Sequence, residues 1–178
     1  PKGEGGYRPI GLFPTMIRVW FRVRLVTVKI WEKQNELPSV FGGPGMGAQK
    51  AAFQISFAAE AAAMCNDEFG AGLLDLVKAF ERIRHAYLLR EAIKHGYPLW
   101  LLRLSLATYR LLRVVRIGTS VSREVLACRG ITAGSGFATS EMRLAMLSPM
   151  DAACRAHPTV VPTAFVDDVA CELPGRQD

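Results

Sequence analysis

Three aspartates are the residues of this chain whose surroundings most invite chemistry. Asp167 and Asp168 stand side by side in FVDDVAC at 165–171, between the apolar runs Val160 to Val166 and Val169 to Leu173. Adjacent acids between two strand-like runs belong at a hairpin turn, where both side chains can reach one solvent-facing site. Carboxylates held together repel, and one takes up a proton unless a cation neutralises them. Mg²⁺ accepts oxygen ligands and keeps waters and substrate phosphates in its shell, so two or three aspartates suffice to hold it. An Asp-Asp dipeptide taken alone is more often a plain turn. The third acid, Asp75, is alone in LLDLV, within a short apolar run from Gly72 to Val77 that suits a buried strand. An unpaired carboxylate inside such a strand is costly. Asp75 is therefore expected at the strand end, paired or metal-bound, or else as the N-cap of a helix beginning near Lys78.

The elements that must position these acids can be read in outline. The chain has 178 residues, half of them hydrophobic and 21% charged, which suits one ordinary domain or part of a larger one. That apolar content excludes intrinsic disorder. No uncharged apolar stretch approaches a membrane span: the segment from Met16 to Trp31 is interrupted by Arg18, Arg22, Arg24 and Lys29. The first residues, PKGEGGYRPI, lack the apolar core of a signal peptide.

Pro14 to Gln34 places Arg18, Arg22 and Lys29 on one helical face and Ile17, Trp20, Phe21, Val28 and Trp31 on another. Its many β-branched residues leave a strand open as well. FGGPGMG at 41–47 reads as a loop, and the alanine-rich 48–65 as a helix. One helix is expected from the end of the Asp75 strand to about Lys94, stopped by His95-Gly96 and Pro98. Another runs from Leu99 to Leu112, with Leu102, Leu106 and Tyr109 in the core. Two strands, Arg113 to Gly118 and Arg123 to Arg129, flank a Gly-Thr-Ser turn, and the loop Gly130 to Gly136 feeds a helix over 137–156. Helices dominate, with a small antiparallel sheet: an α+β chain.

The net charge of +6 alternates in blocks. Residues 1–33 carry +5, 34–77 carry −4, 78–129 carry +8 and 130–178 carry −3. Basic surface around a few carboxylates suits a polyanionic substrate handled through bound cations, though a plain basic domain has the same totals. Cys65, Cys128, Cys154 and Cys171 form no C-x-x-C or zinc-knuckle spacing, and read as reduced, mostly buried thiols of an intracellular protein.

Around Asp75 the pattern becomes specific. LLDLVKAFERIRHAYLLREAIKHGYP resembles motif A of reverse transcriptases of the non-LTR retrotransposon and group II intron type, D-x-x-K-A-F-[DE]-x-[VI]-x-H-x-x-L followed by a helix ending in G-x-P. Asp75, Lys78, Ala79, Phe80, Glu81, Ile83, His85, Leu88, Gly96 and Pro98 all fit it. FVDD resembles motif C, [YF]-x-D-D, and YRPIGLFPTMIRVW resembles the fingers motif R-P-I-S-L with its following basic helix. RGITAGSGFAT lies where the family has motif B, R-G-x-x-Q-G-x-x-L-S-P. The four stand in the family's order. Ala133 replaces the motif B glutamine while Gly134 is kept, and Arg18 stands where lysine is usual.

The resemblance implies a polymerase palm, a small antiparallel sheet backed by helices, with part of the fingers and no thumb. Residues 1–70 would be fingers and palm entry, and 71–178 the palm with motifs A, B and C. It implies RNA-templated DNA synthesis in the nucleus or cytoplasm by a larger polymerase chain that supplies the thumb and remaining fingers. The partners would be an RNA template, a DNA primer and dNTPs. Asp75, Asp167 and Asp168 would be catalytic, holding two Mg²⁺ ions (or Mn²⁺) with the carbonyl of Leu76. Arg8 would contact the triphosphate, Arg18 the template or phosphates, and Ala133 and Gly134 the nascent base pair. Phe80 would exclude a ribose 2′-hydroxyl, and an ordinary core phenylalanine is its alternative role. Lys78, Arg82, Arg110, Arg113 and Arg116 would line a strand-binding surface, and His85 would order the helix after motif A. An RNA-dependent RNA polymerase and a catalytically dead retroelement fragment are the rival readings.

Overall fold

A computed structural model describes residues 10–42 and 46–174. The helix α1 spans Thr15–Gln34, directly after Pro14, so the strand alternative for this segment is set aside. Tertiary packing decides it: Phe21, Val28 and Trp31 are buried on one face, Ile17 and Trp20 pack beside them, and Arg18, Arg22 and Lys29 stay exposed. Helix α2, Ala48–Cys65, ends at Asn66 in the left-handed conformation. Strand β1 follows over Phe69–Asp75.

The single helix expected after Asp75 is two. Helix α3, Ala79–Arg82, and helix α4, His85–Lys94, are separated by Ile83 and Arg84 in extended conformation. The Gly130 N–H bonds to the Ile83 carbonyl at this break. Helix α5 spans Leu99–Tyr109, three residues shorter than expected, with Leu102 and Tyr109 fully buried. Of the two strands expected here, the first shrinks to β2, Arg116–Ile117; its partner β3, Ser120–Val121, begins on the last residue of the expected turn, and of 123–129 only Val125 pairs, in one bridge to Arg113. Helix α6 covers Ala138–Ala156, and strands β4, Val161–Phe165, and β5, Asp168–Pro174, form the final hairpin.

The architecture is α+β. The three-stranded antiparallel sheet has the order β1-β5-β4, so the hairpin inserts β5 beside the much earlier β1. Two apolar clusters hold it. The larger joins α1, α4, α5 and α6 through Phe21, Trp31, Leu88, Leu101, Tyr109 and Leu144. The smaller lies under the sheet, where Val40, Met150, Ala164 and Val169 meet. Polar ties fix α6 to its neighbours: Ser140 donates to Glu32 at 2.6 Å, Arg143 to the Asn35 carbonyl at 2.8 Å, and Lys94 to Ser148 at 2.7 Å.

Two expectations fail on burial. β1 is an edge strand, and Gly72, Leu73, Leu74 and Asp75, which alternate between the two faces of the sheet, are all exposed: neither face is covered there among the described residues. The four cysteines are free thiols, but Cys65 and Cys128 are exposed and the other two half-buried.

Candidate active site

The register of the sheet brings the acids of distant segments together. Asp75 ends β1 directly opposite Asp168, the first residue of β5, whose other neighbour is Phe165 at the end of β4. Cβ atoms of directly opposed residues in an antiparallel pair lie about 4.5–5.5 Å apart. Asp168 thus belongs to a strand, not to the turn expected for both acids. The turn consists of Val166 and Asp167, and Val166 is left-handed with φ of 60°. A β-branched residue there is strained, and strain of this kind persists only where surrounding structure enforces it. Lys78, three residues past Asp75, is left-handed as well, with φ of 51°.

Asp75 and Asp168 are exposed and Asp167 is half-buried. Among the described residues no basic side chain pairs with any of them. Two like charges face each other across the strands, which is unfavourable without a counter-charge. The donor set, oxygen alone, fits a hard divalent cation in chemistry and in charge. The three side chains do not converge on one point: among the described residues no three His, Cys, Asp or Glu side chains form a ready cage. A cation held by these carboxylates would need further oxygen ligands. The Leu76 carbonyl accepts the Ala79 N–H at 3.2 Å and retains a second lone pair.

The remaining parts are tied to this centre through the main chain. The Gly130 N–H donates to the Ile83 carbonyl and the Ile131 N–H to the Phe80 carbonyl, both at 2.8 Å. His85, buried at the start of α4, places Nε2 2.9 Å from the Gly130 carbonyl oxygen. His85 thus ties the start of α4 to the 130–136 loop, and α4 has no side-chain cap at its N-terminus. Gly11 donates its N–H to the Ala133 carbonyl at 2.8 Å, docking the segment before α1 onto the 130–136 loop. Gly134 explains itself here: its φ is +104° and a Cβ would fall 2.3 Å from the Gly11 carbonyl oxygen.

Gly134→Ala is therefore expected to lower the thermal unfolding midpoint by roughly 5 °C. Gly72→Ala, where an added Cβ meets nothing within 4 Å, should leave it unchanged. Circular-dichroism melts of the two variants check the contrast.

Arg8 lies outside the described residues. Arg18 is exposed on α1, on the helix that leads away from the Gly11 contact. Ala133 is exposed, its carbonyl taken by Gly11. Phe80 is half-buried with its ring against the larger core cluster. Lys78, Arg82, Arg110 and Arg116 are exposed, whereas Arg113 donates to the Tyr109 carbonyl and is half-buried.

A buried polar cluster beneath the 130–136 loop escaped the sequence reading. Glu141, on α6, is completely buried, and the Tyr109 hydroxyl lies 2.5 Å from its Oε2 and 2.8 Å from Ser135 Oγ. Burial raises the Glu141 carboxyl to about 7, with the Tyr109 and Ser105 hydroxyls pulling the other way. Its signal was faint: one acid within ATSEMRLAML, at a position the helical period assigns to the core.

No known family model matches the chain, and no curated protein matches it in sequence. Solved structures do match its fold. Telomerase from Candida albicans, in complex with a TWJ fragment of telomeric RNA, aligns over 88% of this chain with a TM-score of 0.60 and 9% identity. Apo telomerase from Candida tropicalis, truncated from its C-terminal domain, aligns over 91% with a TM-score of 0.51 and 10% identity. The alignments take in 32% and 34% of those chains, so this chain spans about a third of their length. The fold is thus similar to that of part of these telomerase chains.

Proposed function

We propose that this chain is the fingers–palm portion of a reverse transcriptase that copies RNA into DNA, of the non-LTR or group II intron type. The observation that carries the proposal is the pairing of Asp75 with Asp168 across adjacent strands, beside Asp167 in a strained turn. The four motifs in order and the likeness in fold to telomerase, a reverse transcriptase-related enzyme, support it. Divalent metal bound there supplies Lewis-acid activation of a primer 3′-hydroxyl and charge neutralisation on a triphosphate. Asp75, Asp167 and Asp168 hold that charge in place, with the Leu76 carbonyl beside them. The 130–136 loop, clamped by Gly11 and His85, presents a fixed backbone edge to the base pair being formed. Arg8 and Arg18 are assigned to phosphate, and Phe80 to the sugar.

Phe80 discriminates by bulk: a ring beside the sugar leaves no room for a 2′-hydroxyl. Loss of a well-packed contact of this size changes selectivity by about 1–3 kcal/mol. In a polypeptide that carries these residues with the rest of the polymerase, Phe80→Val should raise ribonucleotide over deoxynucleotide use by roughly 10- to 100-fold. Primer extension on an RNA homopolymer, with dNTPs and rNTPs compared, tests both the activity and the gate. Unchanged sugar choice assigns Phe80 to the core alone, and use of rNTPs by the parent enzyme selects an RNA polymerase instead.

Ala133 and the unconverged carboxylates favour a second reading, a retroelement fragment without catalysis. An isothermal Mg²⁺ titration separates the two, since a fragment that has lost its chemistry has no reason to bind the ion.

A further inference from the structure

Helix α1 carries a second apolar face that the described residues leave exposed. Met16, Val19, Val23, Val26 and Ile30 recur alternately three and four residues apart, on the side opposite the buried Phe21 and Val28. All five are more than half exposed, from 52% at Val19 to 79% at Met16, and Leu12, 90% exposed, continues the spacing before the helix. Isolated exposed aliphatics are ordinary, but a contiguous stripe with heptad spacing marks a docking face. At 1.5 Å per residue it runs about 21 Å, enough for a partner helix of some four turns.

The flanks select the occupant. Arg18, Arg22, Lys29 and Lys33 line one side of the stripe, and the sole acid of α1, Glu32, is buried and engaged by Ser140. A second copy of this chain would set cations against cations. A nucleic acid would satisfy the cations but offer nothing to the aliphatic centre. We infer that this face receives an amphipathic helix from outside these 178 residues, with aliphatic residues at heptad spacing and carboxylates along the edge that meets Arg22 and Lys29. Knobs-into-holes contact along the stripe supplies affinity, and the basic flank sets orientation and partner choice. The inference does not rest on the polymerase reading: of these residues only Arg18 also has a proposed phosphate contact, and the partner's charge preference is carried by Arg22 and Lys29.

Two labelled 18-residue peptides test it, identical in their Leu/Ile heptad positions and carrying either Glu or Lys on the flanks. Fluorescence anisotropy against the intact chain should show micromolar binding of the Glu peptide and much weaker binding of the Lys peptide. Val23→Asp, at an exposed position, should weaken the Glu peptide roughly tenfold or more with an unchanged circular-dichroism spectrum. The pair Arg22→Glu and Lys29→Glu should reverse the preference. Equal binding of both peptides, binding of neither, self-association of the chain abolished by Val23→Asp, or displacement of the Glu peptide by a short RNA would each overturn the inference.

Discussion

In a polypeptide that carries these residues with the rest of the proposed polymerase, asparagine at position 167 or 75 is expected to reduce primer extension by roughly a thousandfold while leaving the fold as stable as before, or slightly more so. Asparagine keeps the size and one oxygen of aspartate but removes the negative charge. Charge stabilisation by a bound metal is worth several kcal/mol in the transition state, and that sets the size of the loss. Stability should move the other way because Asp75 and Asp168 face each other across the β1–β5 ladder with no basic partner among the described residues. Neutralising one relieves a like-charge contact. Asp168→Asn distinguishes this site from a generic turn, since β-sheet register makes Asp168 the direct neighbour of Asp75 and Asp167 the turn residue. A second readout needs no catalysis. Under the proposed metal assignment, Mg²⁺ should raise the unfolding midpoint of the folded chain by mass action, and Asp75→Asn should remove that increase. A parent chain indifferent to Mg²⁺, with Asp167→Asn extending primers at the parental rate, would refute the metal assignment.

What could be read from the residues and what could not divide along physical lines. The hairpin 161–174 was legible because two apolar runs around a polar break have few alternatives. The pairing partner of that hairpin was not: β1 lies some ninety residues earlier, and neither run says which neighbour it takes. The buried face of α1 was visible in the period of Phe21, Val28 and Trp31, whereas its β-branched residues argued equally for a strand until packing against α6 settled it. The break at Ile83-Arg84 was missed because no Gly or Pro marks it. It arises from hydrogen bonds to Gly130 and Ile131, residues distant in sequence. Apolar composition misled at β1, where Leu73 is 81% exposed. An apolar run signals what can be buried, and only what packs on the faces of the sheet decides whether anything covers it. Gly134 shows the converse. Its place in a resembling motif was plain, but the reason for a glycine there, a carbonyl at contact distance from where its Cβ would be, is purely three-dimensional.

Glu141→Gln should abolish a fall in stability with rising pH that the parent chain shows between about pH 4.5 and about pH 7. An exposed glutamate in the unfolded chain releases its proton near 4.5, while in the folded state burial holds the proton until about 7. Across that window the folded state binds more protons than the unfolded one, so stability declines as pH rises and levels off once both states are ionised. The gap corresponds to about 3 kcal/mol at its full extent. Glutamine is the uncharged mimic of the protonated acid, and its carbonyl still accepts from Tyr109. Parent and variant should therefore be alike at pH 4, and the variant more stable by about 3 kcal/mol at pH 8. Urea unfolding followed by tryptophan fluorescence at intervals between these values checks it, the quantity of interest being the difference between the two proteins. Parallel curves would mean that Glu141 is not held as a neutral acid. The consequence reaches the candidate site, because Tyr109 bonds Glu141 and Ser135 at once. Ionisation of Glu141 strengthens its claim on the Tyr109 proton and weakens the anchor of the 130–136 loop. The Glu141→Gln variant should then keep that loop protected from hydrogen exchange at pH 8, where the parent loses protection at Ser135 and Phe137.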